Sequence, residues 1–304
     1  MPVPFTRLET LLKAGEFVVS AELTPPRHYD TTKFMQTAHT VASHVDVVQI
    51  NDNLLSQARL SNLVAAHLVQ QAGLEPVVQF TLRHRNRIAL QSDLLGLAAL
   101  GIRNIIVLGG YPCAIGTDPD AKDASDISSV DAIAAIHKLT HQGELFNGDV
   151  IDPAPDFYVG TIDFPCADQD LDKSMARLAA KIESGAQYIQ VQAIFDLAPM
   201  QRWMAEVRSR GLHKKAHFIA AIFPFSGLKR LEFLQKIPGL TVPDALIQRI
   251  QDNDSDAESL KITQELIEGI RSIEGIRGLH MRSIGAEDWV TRIVQAAGLR
   301  QVLV

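Results

Sequence analysis

Cysteine is nearly absent from this chain. Two in 304 residues, Cys113 and Cys166, make no CxxC pair and no disulfide framework, which favours a reducing cytoplasm. Nineteen glycines and fourteen prolines are too few for a collagen-like or low-complexity chain. No window approaches the ~20 apolar residues of a membrane span. The longest strongly apolar stretch, 94–102, is interrupted by Gly96 and Gly101. Basic charge is not in excess either: 29 Lys and Arg stand against 35 Asp and Glu, net −6, which argues against nucleic acid as a partner. The N-terminal pattern places Glu9, Lys13 and Glu16 among apolar residues, which suits a short amphipathic helix and not a secretory signal. Signature motifs are missing as well. There is no GxGxxG, no Walker GxxxxGK[ST], no HExxH, no GxSxG and no metal-spaced Cys/His cluster.

What is present is an alternation. Short β-branched runs at 17–23, 45–52, 75–82, 104–110, 157–163, 188–195, 217–223 and 278–284 read as strands. Most are continuously apolar, as parallel strands covered on both faces must be. Longer helical patterns separate them, among them 56–71, 87–100, 171–184 and 199–210. Gly73, Gly101, Gly185 and Gly211 stand where left-handed C-terminal caps belong. Eight strand–helix units in a chain of this length predict one (β/α)8 TIM barrel, whose usual size is ~250 residues. The excess falls in polar loops at 111–127 and 142–156, around the fourth helix, and in an insertion at 240–256 that adds a short helix before a long one at 257–273. An open doubly wound sheet is the rival, but its first strand would lead into a glycine-rich turn. Here that strand leads into Glu-Leu-Thr-Pro-Pro.

Barrel active sites lie at the carboxyl ends of the strands. Glu22 is the outstanding residue there, a carboxylate in the apolar run Val-Val-Ser-Ala-Glu-Leu. Burial would raise its pKa, as a general acid near neutral pH requires. The alternative is a buried carboxylate paired with an arginine from a neighbouring strand. The dense basic cluster Arg83-His84-Arg85-Asn86-Arg87 falls where the third strand meets its helix, which suits a phosphate or carboxylate. Arginines there oppose the helix dipole, so a purely stabilising role is disfavoured. Gly109 and Gly110 either let a ligand approach the backbone or make a tight turn. Gln192, polar in an apolar strand, can both donate to and accept from a heterocycle such as a pterin or flavin, or is a satisfied buried amide. Lys181 either neutralises a phosphate or lies on the surface. Cys113 and Cys166 both follow strand ends and are read as packing residues, with room to face each other across the mouth.

The segments FVVSAELTPP, VDVVQINDN and EPVVQFTLRHRNRIALQSDLLGLAALGIRNIIVLGG resemble methylenetetrahydrofolate reductases, most of all the short form of acetogens and many other bacteria. The likeness continues through APDFYVGTIDFPCAD, LAAKIESGAQYIQVQAIFD and VPDALIQRI. It implies a flavin barrel in which NAD(P)H reduces FAD and the reduced flavin passes a hydride to methylenetetrahydrofolate, giving 5-methyltetrahydrofolate. Glu22 matches the family's general acid and Gln192 its substrate-orienting glutamine. Flavin contacts would fall on Asn51, Gln79, Thr81, Leu108, Gly109, Gly110, Ala124 and Lys181, with Arg83 and Arg85 also serving the phosphates. The resemblance further implies a homo-oligomer or a partner subunit. Two positions depart from the pattern. Tyr111 stands where many members have aspartate, on the pterin side, and Gly109 replaces a flavin-contacting arginine. The departures leave open a flavin-poor paralogue or subunit that only holds a one-carbon pterin, and a pterin-dependent methyltransferase.

Overall fold

The computed structural model describes residues 5–300. Eight parallel strands close into a barrel in sequence order: β1 (Val18–Leu23), β2 (Val47–Ile50), β3 (Pro76–Thr81), β4 (Asn104–Leu108), β5 (Tyr158–Asp163), β6 (Tyr188–Val191), β7 (His217–Ile222) and β8 (Ile276–Met281), with β1 pairing both β2 and β8. The TIM barrel expected from the alternation is therefore present. Several strands stop short of their apolar runs, at Ile50, Leu108, Val191 and Met281. The remaining residues turn out of the sheet at the mouth.

Eleven α-helices lie among the described residues. After α1 (Arg7–Lys13), the strands alternate with α2 (Thr32–Ala42), α3 (Asn62–Gln71), α4 (Arg87–Ala99), α5 (Ser129–Gln142), α6 (Leu171–Glu183) and α7 (Leu197–Ser209). Between β7 and β8 come α8 (Gly227–Leu234), α9 (Asp244–Asp252) and α10 (Asp256–Ser272), and α11 (Asp288–Ala296) follows β8. The short helix foreseen within 240–256 is α9. The four predicted cap glycines all have positive φ, between 69° and 117°. The helix read from 56 starts only at Asn62. Residues 54–56 form a single tight turn instead, with Asn53, Leu55 and Ser56 in the left-handed region.

Alternation along β1 divides its side chains. Val19, Ala21 and Leu23 join the large cluster beneath the helices, whereas Val18 packs inside the barrel. Inside, Val18, Val47, Val77, Ile106, Tyr158, Tyr188 and Ile219 form an apolar floor plugged by Leu8 and Leu12 of α1. The plug is held by charge as well as by packing. Glu75 accepts from the backbone N–H groups of Arg7 and Leu8, at 2.7 and 2.9 Å, where the helix N-terminus favours an anion. Gly160 makes the floor possible. A Cβ there would lie 2.2 Å from Cζ of Tyr188, whose ring stacks on Tyr158 with centroids 5.2 Å apart. Above this floor the barrel interior turns polar.

Candidate active site

The polar interior is built from strand residues on the same inward register. Ser20 and Glu22 come from β1, Gln49 from β2, Gln79 from β3, Gln190 from β6 and His280 from β8. Gln49 donates to Gln190 across the barrel, and Gln79 donates to Gln49 at 3.2 Å. Buried amides can satisfy one another in this way without a charge.

Glu22 sits at the top of this layer and is 1% exposed. Its Oε2 lies 3.4 Å from Nε2 of Gln79, 3.6 Å from Nε of Arg282 and 3.8 Å from Nε2 of His280. Its Oε1 has no partner, and neither does Oδ1 of Asn51. Burial alone would raise the Glu22 carboxyl. Arg282, His280 and Asn51 together outweigh it and lower the pKa to about 2. The raised pKa expected from burial is thus overturned, because the neighbouring strand β8 supplies a cation. Burial holds the His280 imidazole below its ordinary value despite Glu22, and its Nδ1 lies 2.9 Å from Oγ of Ser20.

Glu22 opens into a cavity of about 280 Å³ lined by Gln79, Leu108, Gly110, Tyr111, Ile162, Phe164, Gln190, Gln192, Pro238, Gly239 and Arg282. Of the residues singled out in the sequence, Glu22, Gln79, Leu108, Gly110, Tyr111 and Gln192 meet there. Gln192 is held on one side only, its Oε1 accepting from Arg282 at 2.9 Å and from the Ala193 N–H at 3.2 Å. Phe164, Gln192 and Gly239 also line a second cavity of about 430 Å³, bounded by Cys166, Phe195, Arg202 and Pro243. A cleft of about 590 Å³ between Arg7, Asp46, Glu75 and Arg300 lies at the amino ends of the strands, away from this chemistry.

The cations expected to bind phosphate are already engaged. Arg85 is paired with Asp52 and, at 2.8 Å, with Asp93. Lys181 reaches Asp163 at 3.2 Å and donates to the Ile162 carbonyl at 2.7 Å. Arg87, the first residue of α4, binds Asp126. Arg83 is paired with Asp123 and donates to the Gly110 carbonyl, yet it stays about one-third exposed. Each of these arginines thus has a carboxylate partner, which offsets the charge that opposes the helix dipole. The aspartates of the 111–127 loop were the available signal, an acidic run matching a basic one. Thr81 is tied to Asp52 through its N–H at 2.6 Å, and Ala124 donates its N–H to the Arg83 carbonyl at 2.7 Å. Gly110 has φ +81° and no room for a Cβ beside Thr81, whereas Gly109 faces open space. Both cysteines are free thiols: the Cys113 backbone N–H donates to Asp123 Oδ1, and Cys166 lines the outer cavity. Sequence reasoning missed Arg282, His280, Gln49 and Gln190.

Fold and site together define a (β/α)8 barrel with a pocket at the carboxyl ends of its strands, floored by a buried carboxylate. The chain belongs to the methylenetetrahydrofolate reductase family, whose model matches residues 7–298. It is 24% identical over 253 residues to methylenetetrahydrofolate reductase 2 of Schizosaccharomyces pombe, covering 80% of this chain and 39% of that protein. It is 20% identical over 309 residues to a probable methylenetetrahydrofolate reductase (NADPH) of Caenorhabditis elegans, covering 96% and 44%. The chain thus spans less than half the length of these curated relatives. Among solved structures it is similar to an uncharacterized Clostridium thermocellum protein described as binding two copies of 5-methyl-5,6,7,8-tetrahydrofolic acid. That likeness has a TM-score of 0.65 and 15% identity, covering 97% of this chain and 99% of that one. No helix among the described residues is long and apolar enough to cross a membrane.

Proposed function

We propose that the chain is a flavin-dependent reductase of cytoplasmic one-carbon metabolism, passing a hydride from NAD(P)H through FAD to methylenetetrahydrofolate to give 5-methyltetrahydrofolate. Family membership supports the reaction class. The observation that carries it is Glu22, a buried carboxylate whose Oε1 has no hydrogen-bond partner within the protein, on a residue that lines a pocket of about 280 Å³. A buried acceptor is left open only where something else satisfies it.

A flavin ring would lie on the β4 side of this mouth. Gly109 leaves open space beside the backbone, and Leu108, Gly110 and the amide of Gln79 line the pocket. The phosphates would fall to Arg83, which keeps the exposure that Arg85 and Lys181 lack. When bound, the flavin supplies the hydride chemistry. The chain's own residues do the rest. Gln192 and Tyr111 orient the pterin against an apolar wall of Ile162 and Phe164. Glu22, an anion in the ligand-free pocket, would take a proton from solvent as substrate binds and pass it to the substrate nitrogen as the methylene bridge opens.

The test is an absorption spectrum of the purified protein before and after anaerobic NADH, followed by methylenetetrahydrofolate. The reading requires a yellow protein that bleaches and is reoxidised by the folate. Glu22→Gln should keep flavin reduction and lose at least ~10²-fold in folate reduction, the scale of a missing general acid. Normal turnover by that variant would remove Glu22 from the mechanism. One observation favours a second reading, a folate-binding protein without flavin. Arg85 and Lys181 are both committed to carboxylates. A colourless protein that binds 5-methyltetrahydrofolate and oxidises no NADH would decide for it.

A further inference from the structure

We propose that Arg282 is the positioning residue of the mouth, its guanidinium joining Glu22 to Gln192 and so fixing which side of the pocket accepts hydrogen bonds and which side donates them. This rests on the reading of the pocket as a reduced-folate site.

Arg282 follows β8 directly, and its N–H extends the ladder to the Ile222 carbonyl at 2.9 Å. The side chain is almost fully buried and lies over the Phe223 ring, 4.8 Å from its centroid. From there it works in two directions. Nη1 donates to Oε1 of Gln192 at 2.9 Å. Together with the Ala193 N–H, this occupies the acceptor end of the amide. Only the NH2 of Gln192 is left for a ligand, although a free glutamine could present either end. Nε lies 3.6 Å from Oε2 of Glu22, too far for a hydrogen bond and near enough to favour the anion.

The groups facing Glu22 are few. His280 comes from β8 and Arg282 from just beyond it, Asn51 from just after β2 and Gln79 from β3. His280 is itself held towards its neutral form by burial, so Arg282 is the permanent cation of the set. The resting pocket therefore offers one anionic acceptor and one neutral donor on opposite arms of a single guanidinium. It selects a ring that brings an N–H to Glu22 and a carbonyl or ring-nitrogen acceptor to Gln192. A reduced pterin, with an amide-like edge, carries both kinds of group.

Two substitutions separate the two arms. Arg282→Met keeps an unbranched stem, two atoms shorter, and removes the charge. In an infrared pH titration of the ligand-free protein, the protonated-carboxyl band abolished in Arg282→Met/Glu22→Gln should then appear at higher pH than in wild type. Arg282→Lys keeps the charge and loses the fork. It should show no such shift, yet bind 5-methyltetrahydrofolate about tenfold more weakly, as Gln192 is freed to rotate. Thermal melts establish that each variant is folded. An unchanged carboxylate in Arg282→Met overturns the charge arm, and wild-type affinity in Arg282→Lys overturns the orienting arm. A lowered melting temperature with neither change would make Arg282 merely structural. If wild type itself fails to bind 5-methyltetrahydrofolate, the folate reading falls, and the infrared result still decides whether Arg282 controls Glu22.

Discussion

The ammonium of Lys181 lies 3.2 Å from the Asp163 carboxylate, with both side chains buried, so α6 is strapped to the mouth end of β5. Asp163 also receives Arg177, whose guanidinium lies over the Phe164 ring, 4.6 Å from its centroid. Burial disfavours the charged Lys181, and Asp163 opposes that effect. Lys181→Met should therefore cost about 3 kcal/mol in stability, the low end for breaking a buried pair, because Arg177 still accompanies the carboxylate. Urea denaturation measures it. An unchanged midpoint would mean that Lys181 is free to serve a ligand.

Gly109 and Gly110 stand side by side with opposite constraints. Alanine at 110 meets Thr81 Cγ2 at 2.1 Å and must hold φ at +81°, so Gly110→Ala should destabilise by about 2–4 kcal/mol. Gly109→Ala meets nothing and should leave the melting temperature within a degree or two. If Gly109 is the ligand's approach, that same variant weakens flavin binding, seen as bound flavin lost on dialysis. Equal stability losses at both positions would contradict the geometry.

The barrel was legible because continuous apolar runs and glycine caps are local signals, and residue order closes the sheet without further information. The site was legible only where one residue broke a local pattern, as Glu22 and Gln192 do. Whether a buried acid is protonated depends on what the neighbouring strand brings, and Arg282 lies 260 residues from Glu22 in sequence. The ion pairs of the arginine cluster were hidden for the same reason. Its carboxylate partners Asp52, Asp93, Asp123 and Asp126 are spread over three other segments. The late start of α3 is a tertiary effect as well: Ser56 Oγ donates to the Tyr111 carbonyl and Leu60 N–H to that of Pro26, holding 54–61 out of the helix.

The two thiols should differ in reactivity. The Cys113 thiol donates to Asp123, and this, with burial, raises its pKa and keeps it protonated. Cys166 is half-buried on the outer cavity. Iodoacetamide at pH 8, followed by mass spectrometry, should label Cys166 at least ~10-fold faster than Cys113. Asp123→Asn should narrow the difference, since it removes the charge that opposes the Cys113 thiolate. Equal labelling in wild type would mean that the Asp123 contact does not hold in solution.

Acid should destabilise the fold in two stages through the Glu22 pair. The His280 imidazole is depressed below 6.5 in the folded chain, so below that pH the unfolded chain takes up a proton that the folded one refuses. Glu22 is depressed from 4.5 to about 2, so its contribution is complete above 4.5 and is lost as pH falls towards 2. Both stages have the same sign: stability falls with pH. The melting temperature should decline first between about 6.5 and 4.5 and again below 4.5. His280→Gln should flatten the upper stage and Glu22→Gln the lower, measured by calorimetry in buffers of matched ionic strength. A melting temperature that rose on acidification from pH 7 to 5 would show that His280 is charged in the folded barrel, with Glu22 as its partner.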